Sequence, residues 1–221
     1  MDTARGRQPV RRPPGHILSL HSESPSSHSN ASQAPYYGYR VHAKISARFI
    51  KHNFSCPEEL PPLFPTSPPT NISLTHFIAY ALHRTRLDHL VLFTALALLR
   101  RLKTLFPAAQ GSAGHQLFLP AYMIAAKVVY DSTLSSTDWR VVGQNMFPLR
   151  MINQMERVMC GRLEWRLHAS RTDLDRFTKA VCEIYEHAPP YVHTELPSVH
   201  TISLKNWLIF EGEETGLNDY D

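Results

Sequence analysis

Histidine and cysteine are the side chains in this sequence with the most obvious chemical potential. The 221-residue chain contains 13 His and 3 Cys, residue types that bind metals or act in catalysis. Their spacing supports neither role, because there is no HExxH motif, no zinc-type Cys/His pairing, no Gly-rich phosphate loop and no GxSxG elbow. Cys56, Cys160 and Cys182 are far apart and form no disulfide framework, as is typical of a reducing compartment. The sequence therefore predicts no enzyme, no metal site, no cofactor and no small-molecule ligand.

Lys127 is unusual because it is the one charged residue in a long apolar stretch. The run LFLPAYMIAAKVVYD begins at Leu117, and every other residue from there to Tyr130 is uncharged. A stretch of this composition predicts a buried helix. An ammonium group in such a helix is costly unless it is paired or its stem reaches solvent.

Glu156 presents the same problem on a second predicted helix, which begins near Pro148. At about 100° per residue, the apolar stripe of that helix consists of Leu149, Ile152, Met159 and Leu163. Glu156 falls inside this stripe, away from the polar face. Two interpretations are open: the two charges form an intramolecular salt bridge, or they border a groove where a second protein completes their hydrogen bonds.

Composition predicts one globular domain with additional segments. A hydrophobic fraction of 43% with 10% aromatic residues suits a folded core. The net charge of +4 permits an acidic partner without requiring nucleic acid. The longest apolar run, Leu90 to Leu99, is about half the length needed to cross a bilayer, and the first residues lack the apolar segment of a secretory signal. No membrane association is expected.

Residues 1–70 are predicted to be a disordered arm. Eleven of the 17 prolines lie there, together with the serine-rich tract SLHSESPSSHSNAS. Such a segment buries too little apolar surface to offset its chain entropy. Within it, residues 36–54 are richer in aromatic side chains, and two interpretations stay open for them: a short docking segment or a mobile stretch.

From residue 71 onwards, helical periodicity predicts an all-α domain. Apolar spacing and capping residues mark five helices over 71–170 and a sixth over 171–187, with Thr172 or Asp173 as its N-cap. Short connections indicate that consecutive helices pack as neighbours, and no run alternates like a strand. The prediction is a five-helix bundle at 71–170, followed by a C-terminal helix and an acidic tail over 171–221.

Four segments, in chain order, resemble the five helices of a cyclin box. They are FIAYALHRTRLDHLVLFTALALLRRLK for the first two helices, HQLFLPAYMIAAKVVYD for the third, SSTDWRVVG for the fourth and INQMERVMCGRLEWRLHAS for the fifth. The resemblance is greatest to the single-box fungal cyclins of the PCL type, partners of the phosphate-pathway cyclin-dependent kinase. It implies a chain that binds and activates such a kinase without catalysing a reaction itself, in cell-cycle or nutrient-linked phosphorylation control.

The resemblance also implies roles for particular residues. In the family, a Lys of the third helix and a Glu of the fifth helix contact the kinase, and these positions correspond to Lys127 and Glu156. Val128, Tyr130 and Cys160 are candidates for the same surface, with ordinary core or groove packing as the alternative.

Three further features concern regulation, location and partner choice. Ser24 and Ser67 each precede a proline and are candidates for phosphorylation by a bound kinase. The basic RRPPG near the start is a candidate import signal, and nucleus and cytoplasm are the expected locations. Pro120 departs from the family, which usually has Ala there; it either removes a backbone hydrogen bond at a cost of about 3 kcal/mol or lies in the first turn of its helix.

Nucleic-acid binding is the alternative function, because cyclin-like folds also occur in transcription factors. It requires a basic face. The candidate residues for that face are Arg84, Arg86, Arg100, Arg101 and Lys103. A solvated cluster at helix ends is the simpler interpretation, since no aromatic side chains are interleaved for stacking, and no nucleic-acid partner is expected.

Overall fold

The computed structural model describes residues 35–60, 70–111, 113–130, 134–187, 189 and 191 of the chain. Its helices are α1 (Arg40–Phe54), α2 (Leu74–Thr85), α3 (His89–Leu105), α4 (Gly114–Val129), α5 (Ser136–Val142), α6 (Leu149–Arg162) and α7 (Arg171–Tyr185). Two short strands, β1 (Glu59–Leu60) and β2 (Thr70–Ser73), pair antiparallel. The predicted all-α class is confirmed. The two-stranded ribbon was not predicted, because strands this short show no alternation.

Helix α4 lies at the centre of the fold. Every residue from Gly114 to Ala126 is buried, and the helix packs against α1, α2, α3 and α6. Pro120 is therefore interior to α4 and not in its first turn. Its ring nitrogen cannot donate to the carbonyl of Gln116, so α4 lacks one backbone hydrogen bond there, and the packing of its buried residues offsets the loss.

Side-chain caps set where several helices begin. Ser73 accepts a hydrogen bond from the backbone N–H of His76 and starts α2, and Asp88 accepts from Leu90 and starts α3. Ser135 starts α5 through a reciprocal capping box. The N-cap of α7 is Ser170, so the prediction of Thr172 or Asp173 was wrong. A cap must precede the first helical residue, which is Arg171, whereas both predicted caps lie inside the helix.

The prediction that residues 36–54 belong to a disordered arm is wrong. Helix α1 occupies residues 40–54 and packs against α2, α3, α4 and α7. Its buried residues are Ala43, Ile45, Ser46, Ala47, Phe49, Ile50 and Phe54. Small residues on the buried face allow close packing, so α1 contributes to the core although its composition is not strongly apolar. The core therefore extends N-terminal to the predicted domain boundary at 70/71.

Helix α7 joins the same core through α1. The hydroxyl of Tyr185 lies 2.7 Å from Nδ1 of His52 and accepts from Nδ2 of Asn53 at 3.2 Å. Arg48 donates to the carbonyl of Tyr185 at 3.0 Å, satisfying an orphan acceptor at the end of α7.

None of the described helices has both the length and the hydropathy that a membrane crossing requires.

Candidate functional site

Lys127 is the residue at which α4 emerges from the core. The preceding residue, Ala126, is only 2% exposed, whereas the Lys127 side chain is 39% exposed. Lys127 lies in the last turn of α4, where a cation interacts favourably with the helix dipole. The buried helix can therefore hold this ammonium group at the surface.

Glu156 lies on α6 beside the core-facing stripe. Ile152 and Met159 are fully buried and Met155 is nearly so, while the Glu156 side chain keeps 19% of its surface exposed. These residues fix the orientation of α6, so the Glu156 carboxylate sits at the edge of the core and not within it. Leu149, predicted to be part of the stripe, is instead 37% exposed.

The two side chains form a direct salt bridge between α4 and α6. The Nζ of Lys127 donates to the Oε1 of Glu156. This is the intramolecular pairing that the sequence left open as one alternative. The pair is nevertheless in contact with solvent and is not sealed beneath other side chains.

The other predicted surface residues differ in accessibility. Val128 is half-buried, Tyr130 is exposed at the C-cap of α4, and Cys160 is buried on α6. Burial raises the pKa of the Cys160 thiol, and the Glu156 carboxylate adds to this rise while Lys127 opposes it. Burial and the raised pKa favour the neutral thiol of Cys160, which packs next to the ion pair. Ser24 and Ser67 lie outside the described residues.

Leu149 is a surface residue that the sequence analysis assigned to the core. It is the first residue of α6, directly after the N-cap Pro148. Positions 149, 153, 156 and 160 follow one face of a helix, so Leu149 is aligned with Glu156 and Cys160. The name α4–α6 surface is used below for Lys127, Val128, Tyr130, Leu149 and Glu156, with the buried Cys160 packed beside the ion pair.

The candidate basic face is largely engaged in internal contacts. Arg100 donates to Oδ1 of Asn53 at 3.3 Å, and Arg101 donates to backbone carbonyls at residues 166 and 168. Lys103 is buried and donates to the carbonyl of Ala109 at 2.7 Å. These contacts direct the cations to the protein itself and disfavour the nucleic-acid alternative. Within the described residues no group of three or more His, Cys, Asp or Glu side chains is placed to hold a metal ion.

Two comparisons with known proteins agree with this architecture. Residues 62–168 match the family model described as the cyclin N-terminal domain. PHO85 cyclin-1 of Saccharomyces cerevisiae is 33% identical over 105 residues, which is 46% of this chain and 38% of the yeast protein. The chain therefore covers well under half of that relative. The matched range in the family model contains α2 to α6, including both members of the salt bridge. Residues 62–168 are therefore assigned to the cyclin N-terminal domain, and the similarity to the yeast protein supports the fungal PCL type that the sequence resembles.

Proposed function

We propose that this chain binds and activates a cyclin-dependent kinase through the α4–α6 surface. The observation that carries the proposal is the placement of the Lys127–Glu156 pair. The two side chains are in contact, lie on neighbouring helices of the cyclin domain and remain open to solvent. They occupy the positions at which the family resemblance implies kinase contact.

Because the Lys127–Glu156 pair is exposed to solvent, it contributes little to the folding stability of the monomer. A salt bridge in contact with solvent stabilises a fold by about 0–1 kcal/mol. The ammonium group has three N–H donors and the carboxylate has several acceptor positions, so the contact between Lys127 and Glu156 leaves hydrogen-bonding capacity on both. A second protein that covers the pair has to supply hydrogen-bond partners for the remaining donors of Lys127 and acceptors of Glu156. The pair therefore favours partners that offer such groups.

Leu149 and Tyr130 would add apolar area on either side of the charges. Both are 37% exposed in the monomer. Apolar side chains around a charged centre exclude water from the contact, the usual arrangement of an energetically important interface residue and its rim. The α4–α6 surface thus combines a polar centre with apolar flanks, a composition that fits a protein partner.

Activation would follow from holding the kinase in one conformation. In a protein kinase, a Lys–Glu ion pair between the β3 strand and the C-helix must form before the ATP phosphates are correctly positioned. A rigid surface that binds the C-helix in its inward position shifts the kinase towards that state. The cyclin chain itself touches no reacting atom in this mechanism.

The partner we propose is a cyclin-dependent kinase of the phosphate-pathway type, acting in cell-cycle or nutrient-linked control in nucleus and cytoplasm. Similarity to a yeast protein named as a PHO85 cyclin supports this choice. Ser24 and Ser67 are proposed substrates of the bound kinase, because each is followed by proline in a proline-rich sequence. Their phosphorylation would mark the chain for turnover.

Binding and activity of a purified phosphate-pathway kinase test the proposal. Lys127→Ala and Glu156→Ala should each weaken binding and lower kinase activity while leaving the melting temperature within a few degrees of the wild type. Lys51→Ala is a matched control, because Lys51 forms a comparably exposed bridge with Glu58 at 2.6 Å. Unchanged kinase binding by both Lys127→Ala and Glu156→Ala contradicts the proposal.

A further inference from the structure

Trp165 is an exposed aromatic side chain held on an unfavourable backbone. It is 71% exposed. It also has a φ of 58°, directly after Glu164 with a φ of 52°. Two consecutive non-glycine residues in the left-handed region cost free energy that other contacts must offset. Both residues are exposed, so the turn leaves the indole on the surface, where it can contact another segment.

The turn that presents Trp165 is fixed by hydrogen bonds on both sides. The backbone N–H of Trp165 donates to the carbonyl of Cys160 at 3.0 Å, and its own carbonyl accepts from Leu167 at 3.0 Å. Arg101 of α3 donates to the carbonyls of Arg166 and, at 3.0 Å, His168. The indole is therefore displayed from an ordered backbone, which lowers the entropy lost when something binds it.

A mixed cationic and apolar surface surrounds this turn. The guanidinium of Arg162 lies over the ring of Phe106 at 5.2 Å, and the adjacent Leu105 is 37% exposed. Arg166 pairs with Glu164 at 3.2 Å, both largely exposed. The Trp165 patch is defined here as Arg101, Leu105, Phe106, Arg162, Trp165 and Arg166. Arg101 donates hydrogen bonds to the neutral carbonyls of the turn but keeps its charge. With Arg162 and Arg166 it gives the patch three cations beside the Glu164 carboxylate, so the patch favours an acidic ligand with an apolar end.

The C-terminal part of this chain has the matching composition. Residues 207–221 read WLIFEGEETGLNDYD, with four apolar residues followed by a segment rich in Glu and Asp. The acidic residues are Glu211, Glu213, Glu214, Asp219 and Asp221, and no Lys or Arg interrupts them. An apolar end adjoining a dense negative charge is complementary to an exposed indole among arginines.

The end of the described chain is linked by side-chain contacts to α3, the helix that carries Arg101 and Leu105. The ring of Tyr191 is 4.9 Å from that of Tyr185. The Tyr185 hydroxyl bonds Asn53, and the Asn53 carbonyl oxygen accepts from Arg100, the neighbour of Arg101. Three side-chain contacts thus connect Tyr191 to Arg100, the α3 residue next to Arg101 in sequence. The 15 residues between 191 and 207 can span about 50 Å, far more than the path requires.

We infer that residues 207–221 bind intramolecularly to the Trp165 patch. The apolar WLIF segment covers the indole and Leu105, and the acidic residues that follow face the three arginines. This contact uses none of the residues of the α4–α6 surface. It adds to the fold an intramolecular docking site for an acidic segment.

Fluorine NMR of the full chain labelled with 5-fluorotryptophan tests the contact. The chain has 3 Trp, so Trp165→Phe and Trp207→Phe assign all signals. The change in chemical shift between H2O and D2O reports how far each indole is open to solvent. We expect the Trp165 signal of the wild type to show less than about half of the full effect at low salt. The full effect should appear at about 1 M salt, where the screening length is about 3 Å.

Two variants make the test specific. Neutralising the tail by Glu211→Gln, Glu213→Gln and Glu214→Gln should expose Trp165 at low salt. The control Glu183→Gln with Glu186→Gln removes exposed charges from α7 and its C-cap and should leave Trp165 protected. A wild-type Trp165 as open to solvent as in the tail variant overturns the inference. Protection that disappears on dilution also overturns it, since a second copy of the chain is then the occupant.

Discussion

The double substitution Lys127→Glu with Glu156→Lys exchanges the two charges. It distinguishes a salt bridge that only stabilises the monomer from one that a kinase contacts. The exchange keeps one cation and one anion in contact between α4 and α6. If the pair serves only the monomer, the exchanged chain should behave like the wild type. If a kinase reads the two charges, both now have the wrong sign for the partner.

The effect on folding follows from the exposure of the pair. Removing either partner of a bridge this exposed should lower the free energy of unfolding by at most about 1 kcal/mol. For a chain of this size, that corresponds to about 2–4 °C in melting temperature. The exchange recovers only part of this loss, because Glu at position 127 lies in the last turn of α4, where the dipole disfavours an anion by about 0.3–1 kcal/mol.

The effect on kinase binding should be much larger. Truncating one partner of a charge pair covered by an interface costs about 2–5 kcal/mol, or about 30-fold to 4,000-fold in Kd at 1.4 kcal/mol per factor of ten. Calorimetric titration of a purified phosphate-pathway kinase into the wild type, Lys127→Ala, Glu156→Ala and the exchanged chain measures these values. Thermal melts of the same samples provide the folding control. Recovery of wild-type affinity by the exchanged chain would refute the docking argument.

Three other substitutions test further parts of the structure. Leu149→Asp should weaken kinase binding about tenfold or more with little change in melting temperature, because Leu149 lies on the exposed face of α6; titration and a thermal melt check it. Ile50→Ala should lower the free energy of unfolding by about 2–5 kcal/mol in urea, since Ile50 is fully buried. Burial lowers the pKa of His115 to about 4, so the folded state holds it neutral while the unfolded state protonates near pH 6.5. Stability is then complete above pH 6.5 and falls as the pH decreases towards 4, by about 2 kcal/mol between pH 7.5 and 5. Urea titrations at both pH values should show that this difference shrinks in His115→Phe.

The sequence predicted helices α2 to α6 because their patterns and caps are local. Ser73 and Ser135 start helices by bonding backbone groups a few residues away, and an apolar stripe needs no knowledge of its neighbour. The exposure of Leu149 could not be predicted from local sequence. A residue in the first turn of a helix faces either the core or solvent, depending on the direction in which the preceding chain enters the helix.

Helix α1 could not be predicted in the same way. Ala43, Ser46 and Ala47 are buried, yet none of the three is a strong hydrophobic signal. These small side chains let neighbouring helices approach α1 closely. Whether they are buried therefore depends on the surfaces of α2, α4 and α7, which the sequence of α1 does not contain. Proline-rich flanks then made the whole segment resemble a disordered arm. The contact of Lys127 with Glu156 was likewise only one of two alternatives, because it depends on how α4 and α6 pack.

The core, and not the salt bridge, determines where the two charges lie. Helix α4 is buried up to the residue before Lys127. Within the core, the Tyr122 hydroxyl contacts Thr85 at 2.9 Å, and its ring packs edge-on against Trp139. Substituting either charge should therefore leave the backbone of both helices in place. A partner that recognises the pair meets groups already in position and loses little entropy in ordering them. A smaller side chain at Trp139 would remove the packing that holds Tyr122 of α4. It should therefore weaken kinase binding, although Trp139 is fully buried and cannot touch the partner.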